Sequence, residues 1–136
     1  MRSPVGLGAP PRRFTVLGGT GQTGRRIVEL ALSENASVTV LARDPRRLGA
    51  LVNRVSVVEG DALDSGAVAT AIRPGTDAVF SAVGKTKGSP RDLGTIAMQN
   101  IVAAMRSSGV KRLVVLANAG VSDSSDWPSA SQRVLR

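Results

Sequence analysis

The chain has 136 residues and a formal net charge of +8, from 18 Lys and Arg against 10 Asp and Glu; this length suits one domain with a real core and not two. Hydrophobic residues make up 42% and charged residues 21%, which excludes a disordered composition, and no run approaches the roughly eighteen apolar residues of a membrane span. Cys and His are absent, excluding a disulfide framework, a thiol nucleophile and the commonest metal ligands, so no metal site is expected. Residues 1–12 contain Pro4, Pro10 and Pro11 without an apolar stretch and read as a flexible tail, not a signal peptide. A soluble, cytoplasmic domain over residues 13–136 is therefore expected. The positive charge suits either an anionic partner or an arginine-biased solvated surface, but its dispersal argues against nucleic acid.

In chain order, residues 14–17 form a short apolar run ending at Gly18-Gly19, as a buried parallel strand does. Residues 22–32 follow with Ile27, Leu30 and Ala31 at helical spacing and Arg25, Arg26 and Glu29 between them. The second strand is predicted over 38–42. Asp44-Pro45 then opens a short helical turn through Leu48 and Leu51, an N-cap residue followed by proline at the first helical position. The third strand is predicted over 55–58. Asp64 caps a helix through Val68 and Ile72, closed by Pro74-Gly75. A fourth strand covers 77–81. A loop rich in Gly, Lys, Ser and Pro leads to a longer helix with an apolar face of Met98, Ile101, Val102 and Met105 and with Gly109 at its end. The fifth strand is predicted over 113–117.

Strands alternating with helices imply right-handed parallel crossovers and helices on both faces. The expected fold class is α/β, a doubly wound parallel sheet of the Rossmann type, with about five strands in the order 3-2-1-4-5.

Gly18, Gly21 and Gly24 lie between the first strand and the first helix, the context that gives a glycine-rich loop its meaning. Gly18 permits the sharp turn, Gly21 a close approach of backbone to pyrophosphate, and Gly24 tight packing of the helix. The first helical turn then presents N–H groups to the phosphates, with the helix dipole behind them. Thr20, Gln22 and Thr23 add side-chain donors. A P-loop is excluded, because Arg25-Arg26 stands where Lys and a hydroxyl residue are required after Gly19-x-x-x-x-Gly24.

The end of the second strand sorts dinucleotides: a carboxylate there selects NAD through the ribose 2′-hydroxyl. Here Arg43 occupies that place, followed by Asp44, Arg46 and Arg47. Guanidinium groups suit a 2′-phosphate, and Asp44 is better used as a cap, so NADP(H) is the expected cofactor. Asp61 and Ala62, past the third strand, are placed for the adenine edge, although Asp61 reads equally as a turn residue. Ala82, Val83 and Gly84 end the fourth strand and should back the nicotinamide ribose. Lys85 and Lys87 follow, for phosphate or acidic-substrate contact or simply for solvent.

Residues 18–24, the run from Val40 to Asp44, Gly60-Asp61-Ala62 and the helical run from Asn100 to Met105 together resemble the NmrA-like, NAD(P)H-binding atypical short-chain dehydrogenases. Within them the likeness is to NADPH-dependent flavin and biliverdin IXβ reductases. The resemblance runs from Phe14 to about Gly120. It implies pyrophosphate on residues 18–24, the 2′-phosphate on Arg43, adenine at Asp61 and Ala62, and ribose at Val83 and Gly84. It also implies hydride transfer from NADPH to a planar acceptor such as a flavin or quinone or, alternatively, a non-catalytic NADP-sensing module that regulates a protein partner.

Two departures follow. Asn118 stands where many relatives carry a hydroxyl residue beside the nicotinamide, and the chain stops where the family supplies further strands, so the C-terminal part of the family domain is expected to be missing. With no Tyr in the chain, the Tyr–Lys route of proton delivery to a carbonyl is closed, whereas flavin or quinone reduction can take its proton from water. The fifth strand is expected to be an exposed edge, which makes a homodimer a candidate assembly.

Overall fold

The computed structural model describes residues 12–84 and 89–116. Five strands, β1 (Arg13–Leu17), β2 (Ser37–Ala42), β3 (Ser56–Glu59), β4 (Ala78–Ser81) and β5 (Leu113–Val115), form one sheet in the order β3-β2-β1-β4-β5. Every neighbouring pair is parallel, and the register sets Leu17 of β1 beside Leu41 of β2 and Ser81 of β4. This is the doubly wound order expected from the alternating pattern. Three helices, α1 (Gln22–Ser33), α2 (Ser65–Ala71) and α3 (Leu93–Ser108), and a 3₁₀ segment over Pro45–Asn53 make the connections.

The period-two geometry of the strands divides the core in two. Val16, Val38 and Val40 point to the face covered by α1 and the 3₁₀ segment, where Val28, Ala31, Leu48 and Leu51 meet them. Leu17, Leu41 and Val79 point to the opposite face, against Val68, Ile72, Ile101 and Met105 of α2 and α3 and their ends. Thr15, 1% exposed, satisfies its hydroxyl by donating to the Ala71 carbonyl at 2.8 Å. Phe14 and Phe80 contribute an edge-to-face pair with centroids 5.3 Å apart.

Chain direction and helix type match the predicted elements, and several details differ. The turn after Asp44 is a 3₁₀ segment kinked at Gly49, whose φ is +59°. β3 and β4 begin one residue later than expected, and β5 ends at Val115; residue 117 lies outside the described residues. On α1 the buried stripe is Gly24, Val28 and Ala31, with Ile27 half-buried and Leu30 66% exposed. The i, i+4, i+7 spacing of those three aims them at the sheet and turns Leu30 away. On α3 the buried positions are Leu93, Ala97, Ile101, Ala104 and Met105, while Met98 and Val102 are half-buried. Small alanines carry that contact because α3 lies close to α2, and the larger Met98 and Val102 flank it. Gly109 closes α3 at φ +77°, the left-handed conformation its position called for.

Among the described residues no helix is long and apolar enough to cross a membrane. The residues read as an N-terminal tail lie almost wholly outside them.

Candidate cofactor cleft

Strand order reverses between β1 and β4. The crossovers from β1 run one way and those leading to β4 and β5 the other, so their loops diverge and leave a crevice at the carboxyl ends of the strands. A cleft of about 340 Å³ lies there, lined from β1 and its loop by Leu17, Gly18, Thr20 and Gly21, from β2 and the residue after it by Leu41, Ala42 and Arg43, and from the 3₁₀ segment by Arg47. The loop after β3 gives Gly60, Asp61, Ala62 and Leu63; the far wall is Ala82, Val83, Gly84, Ser89, Pro90 and Leu93.

The glycine loop has the geometry its residues require. Gly18 has φ +81°, and a Cβ there would sit 2.5 Å from the Ala82 carbonyl oxygen. The reason is the closeness of β1 and β4, which the Ala82 N–H to Leu17 carbonyl bond holds at 2.8 Å. A Cβ on Gly24 would lie 1.9 Å from the Gly18 carbonyl oxygen: the helix is pressed against the turn itself, more tightly than against the strand. Gly21 differs, since a Cβ there would meet only the Gly18 carbonyl oxygen at 3.5 Å. The fold leaves room at Gly21 on the side of the cleft.

Gly21 is also the N-cap of α1, and no side chain caps that end. The first-turn N–H groups have no intrahelical partner, and the macrodipole places partial positive charge beside them. An uncapped helix end above a glycine that leaves space is a fitting seat for pyrophosphate oxygens. Thr20 lines the cleft; Gln22 and Thr23 are exposed at the helix start and, like the buried Gly24, stay outside the lining.

Past the end of β2, Arg43 and Arg47 are exposed and face the cleft; among the described residues neither makes a side-chain hydrogen bond or ion pair, and the Arg47 charge also acts on Asp44. Asp44 caps the 3₁₀ segment through the Arg46 N–H at 3.2 Å and pairs with the Arg46 guanidinium at 3.0 and 3.2 Å. Those Arg46 hydrogen bonds hold the Asp44 carboxyl below its ordinary value, and the same pair raises Arg46. The 3₁₀ segment is tied to α1 by Arg25, which donates to the Leu48 carbonyl at 2.8 Å and stands 3.8 Å from Glu29. The arginine end of the cleft and the helix end of the cleft are thus one unit.

Asp61 lines the cleft half-buried, and its Oδ1 accepts from the Leu63 N–H at 3.0 Å. The turn role is therefore realised in the same residue that faces the cleft. Asn100 on α3 donates to the Ala62 carbonyl at 2.8 Å and fixes this loop from behind. In the sequence Asn100 enters only through the family resemblance, and with Gln99 beside it nothing local marks which amide reaches the loop. Ser89, Pro90 and Leu93 were also missed as lining residues. Asn118, Lys85 and Lys87 lie outside the described residues. Among those described, no group of three or more His, Cys, Asp or Glu is placed to hold a metal ion.

A family model described as NAD(P)H-binding matches residues 18–135. The chain belongs to this NAD(P)H-binding family. A (4-alkanoyl-5-oxo-2,5-dihydrofuran-3-yl)methyl phosphate reductase of Streptomyces griseus is 35% identical over 120 residues, which cover 87% of this chain and 39% of that protein. ChuY, an anaerobillin reductase of Escherichia coli O157:H7, superposes with a TM-score of 0.70 at 25% identity, over 90% of this chain and 59% of that one. A Rossmann-fold NAD(P)-binding family protein from Shigella flexneri gives 0.68 at 26% identity, over 84% and 55%. The chain therefore spans 39% of the length of the curated relative and little more than half of either structure.

Proposed function

We propose that this chain binds NADP(H) in the cleft and is an oxidoreductase passing hydride from NADPH to a planar, conjugated acceptor such as a flavin or quinone. The observation that carries the cofactor choice is the pair Arg43 and Arg47 facing the cleft where an NAD-selecting site carries a carboxylate. Two guanidinium groups offer a 2′-phosphate charge-assisted, multiply donated hydrogen bonds. The α1 terminus and Gly21 would hold the pyrophosphate, Asp61 and Ala62 the adenine edge, and Ala82 to Gly84 the nicotinamide ribose.

When bound, the cofactor supplies the hydride, and the protein supplies alignment and shelter from water. The titratable side chains among the described lining residues, Arg43, Arg47 and Asp61, all sit at the β2–β3 end of the cleft. The β4 end is formed by Ala82, Val83, Gly84, Pro90 and Leu93 with the Ser89 hydroxyl. A planar acceptor suits such a wall, since its reduction needs a flat apolar contact and a proton from water. The similarity to two proteins named as reductases, one of anaerobillin, supports the same reading.

The test is oxidation of NADPH and NADH by the purified chain against a panel of flavins and quinones. Acceptor-dependent turnover with NADPH preferred is expected, and Arg43→Ala should raise KM for NADPH about tenfold while leaving NADH nearly unchanged. Tight NADPH binding without turnover on any acceptor would replace this reading with the non-catalytic sensor. Failure to bind either nucleotide would overturn both.

A further inference from the structure

We propose that Arg46 is a specificity-determining residue: by hydrogen-bonding both oxygens of the Asp44 carboxylate, it leaves the cleft-facing Arg43 and Arg47 available as cations for a 2′-phosphate. This inference rests on the NADP(H) reading of the cleft and explains how an acid one residue past the discriminating position is made harmless. An unengaged carboxylate next to Arg43 would repel the incoming phosphate, and a carboxylate in this region is the group that selects NAD by accepting from the ribose 2′-hydroxyl.

The structure closes both routes. Oδ1 of Asp44 accepts from the Arg46 backbone N–H and from Nε, and Oδ2 accepts from the second guanidinium nitrogen. The carboxylate is thus engaged on both oxygens and kept charged through the neutral range. Arg43 and Arg47, on either side of it, line the cleft, whereas Asp44 and Arg46 do not. The Arg46 side chain is 91% exposed; its hydrogen bonds are to Asp44, and the more distant Glu59 carboxylate adds a weaker attraction. Packing therefore gives it little to do, and its charge relation to Asp44 remains. Of three arginines and one aspartate in this short stretch, Asp44 and Arg46 pair with each other, and Arg43 and Arg47 face the cleft.

The experiment uses the full 136-residue chain and measures Kd for NADPH and NADH by nucleotide fluorescence at low and at higher salt. The variants are Arg46→Gln, Arg46→Lys, Asp44→Asn and the double variant Asp44→Asn/Arg46→Gln. Asn keeps the cap, so the fold is preserved. A freed unit charge near a phosphate dianion in water-like surroundings should weaken NADPH about fivefold at low salt, less at higher salt. Arg46→Gln should do this with NADH unchanged or improved, and Arg46→Lys should restore most of the loss. In the Asp44→Asn background the same Arg46→Gln change should cost less than about twofold, because there is no carboxylate left to mask.

A parent chain that binds NADPH, with an Arg46→Gln variant of unchanged NADPH-to-NADH ratio, overturns this inference alone. Equal losses from Arg46→Gln with and without Asp44 would make Arg46 a direct ligand and overturn it too. A parent that binds neither nucleotide overturns the cofactor reading and this inference with it.

Discussion

Replacing Gly24 by alanine sets two physical effects against each other. In an exposed helix, Gly→Ala stabilises by about 1 kcal/mol. Here the new Cβ would lie 1.9 Å from the Gly18 carbonyl oxygen and 2.7 Å from its carbon. Both neighbours are backbone, so the start of α1 must move outward by about 1 Å or more, an overpacking strain of about 1–3 kcal/mol. The net expectation is a loss of up to about 2 kcal/mol, which for a domain of this size lowers Tm by up to about 8 °C. The displacement also carries the first-turn N–H groups away from the anion. Hydrogen bonds to a charged partner contribute about 1.5–3 kcal/mol each, so NADPH affinity should fall about tenfold to a hundredfold. Gly21→Ala separates the two effects: its Cβ meets the fold at an ordinary 3.5 Å, so Tm should change by no more than a few degrees while NADPH affinity falls. Thermal melts and nucleotide titrations of both variants supply the check. A Gly24→Ala protein that melts higher than the parent and binds NADPH equally well would refute the tight turn and its role as the anion seat.

Two further changes probe the supports of the cleft. Asn100→Ala removes the bond to the Ala62 carbonyl and leaves a partly buried acceptor unpaired; a stability loss of about 1–2 kcal/mol is expected, with NADPH affinity several-fold lower, read by denaturant melts and titration. Asp64→Ala removes the cap that accepts from the Gly66 and Ala67 N–H groups; it should cost about 1 kcal/mol of stability and leave nucleotide affinity unchanged, because α2 reaches the cleft only through the loop that precedes it.

The parts of this structure legible in the sequence are those written in local chemistry. The parallel strands are continuous apolar runs, Asp44 and Asp64 cap the segments they precede, and the spacing of Gly18, Gly21 and Gly24 announces the turn that β1 makes against β4. Strand order followed from the alternation of elements and the handedness of crossovers. What escaped depends on distant partners. Leu30 has the same hydropathy as a core residue, and only the position of α1 on the sheet shows it facing out. The apolar face expected for α3 includes Met98 and Val102 and not Ala97 or Ala104, whereas the close approach of α3 to α2 favours the small residues. Arg46 and Arg47 are indistinguishable as letters, and the geometry of the Asp44 cap sends one to the carboxylate and the other to the cleft. Asn100 bonds to a loop 38 residues earlier in the chain, a contact no local pattern encodes.

The distribution of donors along the cleft leads to one more expectation. Among the described lining residues the charged and dipolar groups, the α1 terminus, Arg43 and Arg47, cluster at the β1–β2 end, with Asp61 beside them, whereas the β4 end is aliphatic and backbone apart from Ser89. Charge-assisted bonds are the stronger ones, and an apolar wall contributes mainly area, so most of the affinity for NADP(H) should reside in the phosphorylated adenosine half. A 2′-phosphorylated ADP-ribose, which lacks the nicotinamide ring, should therefore bind within about tenfold of NADPH, whereas ADP-ribose without the 2′-phosphate should bind about tenfold or more weakly again. Competitive displacement of NADPH by the two compounds measures both steps. Raising the salt concentration should compress the difference between them, since it is electrostatic and sits on exposed arginines. If the two fragments bind alike while NADPH still binds well, Arg43 and Arg47 are solvated surface residues, and recognition must lie in the nicotinamide half; if neither binds, the glycine turn and helix end do not serve as the anion seat.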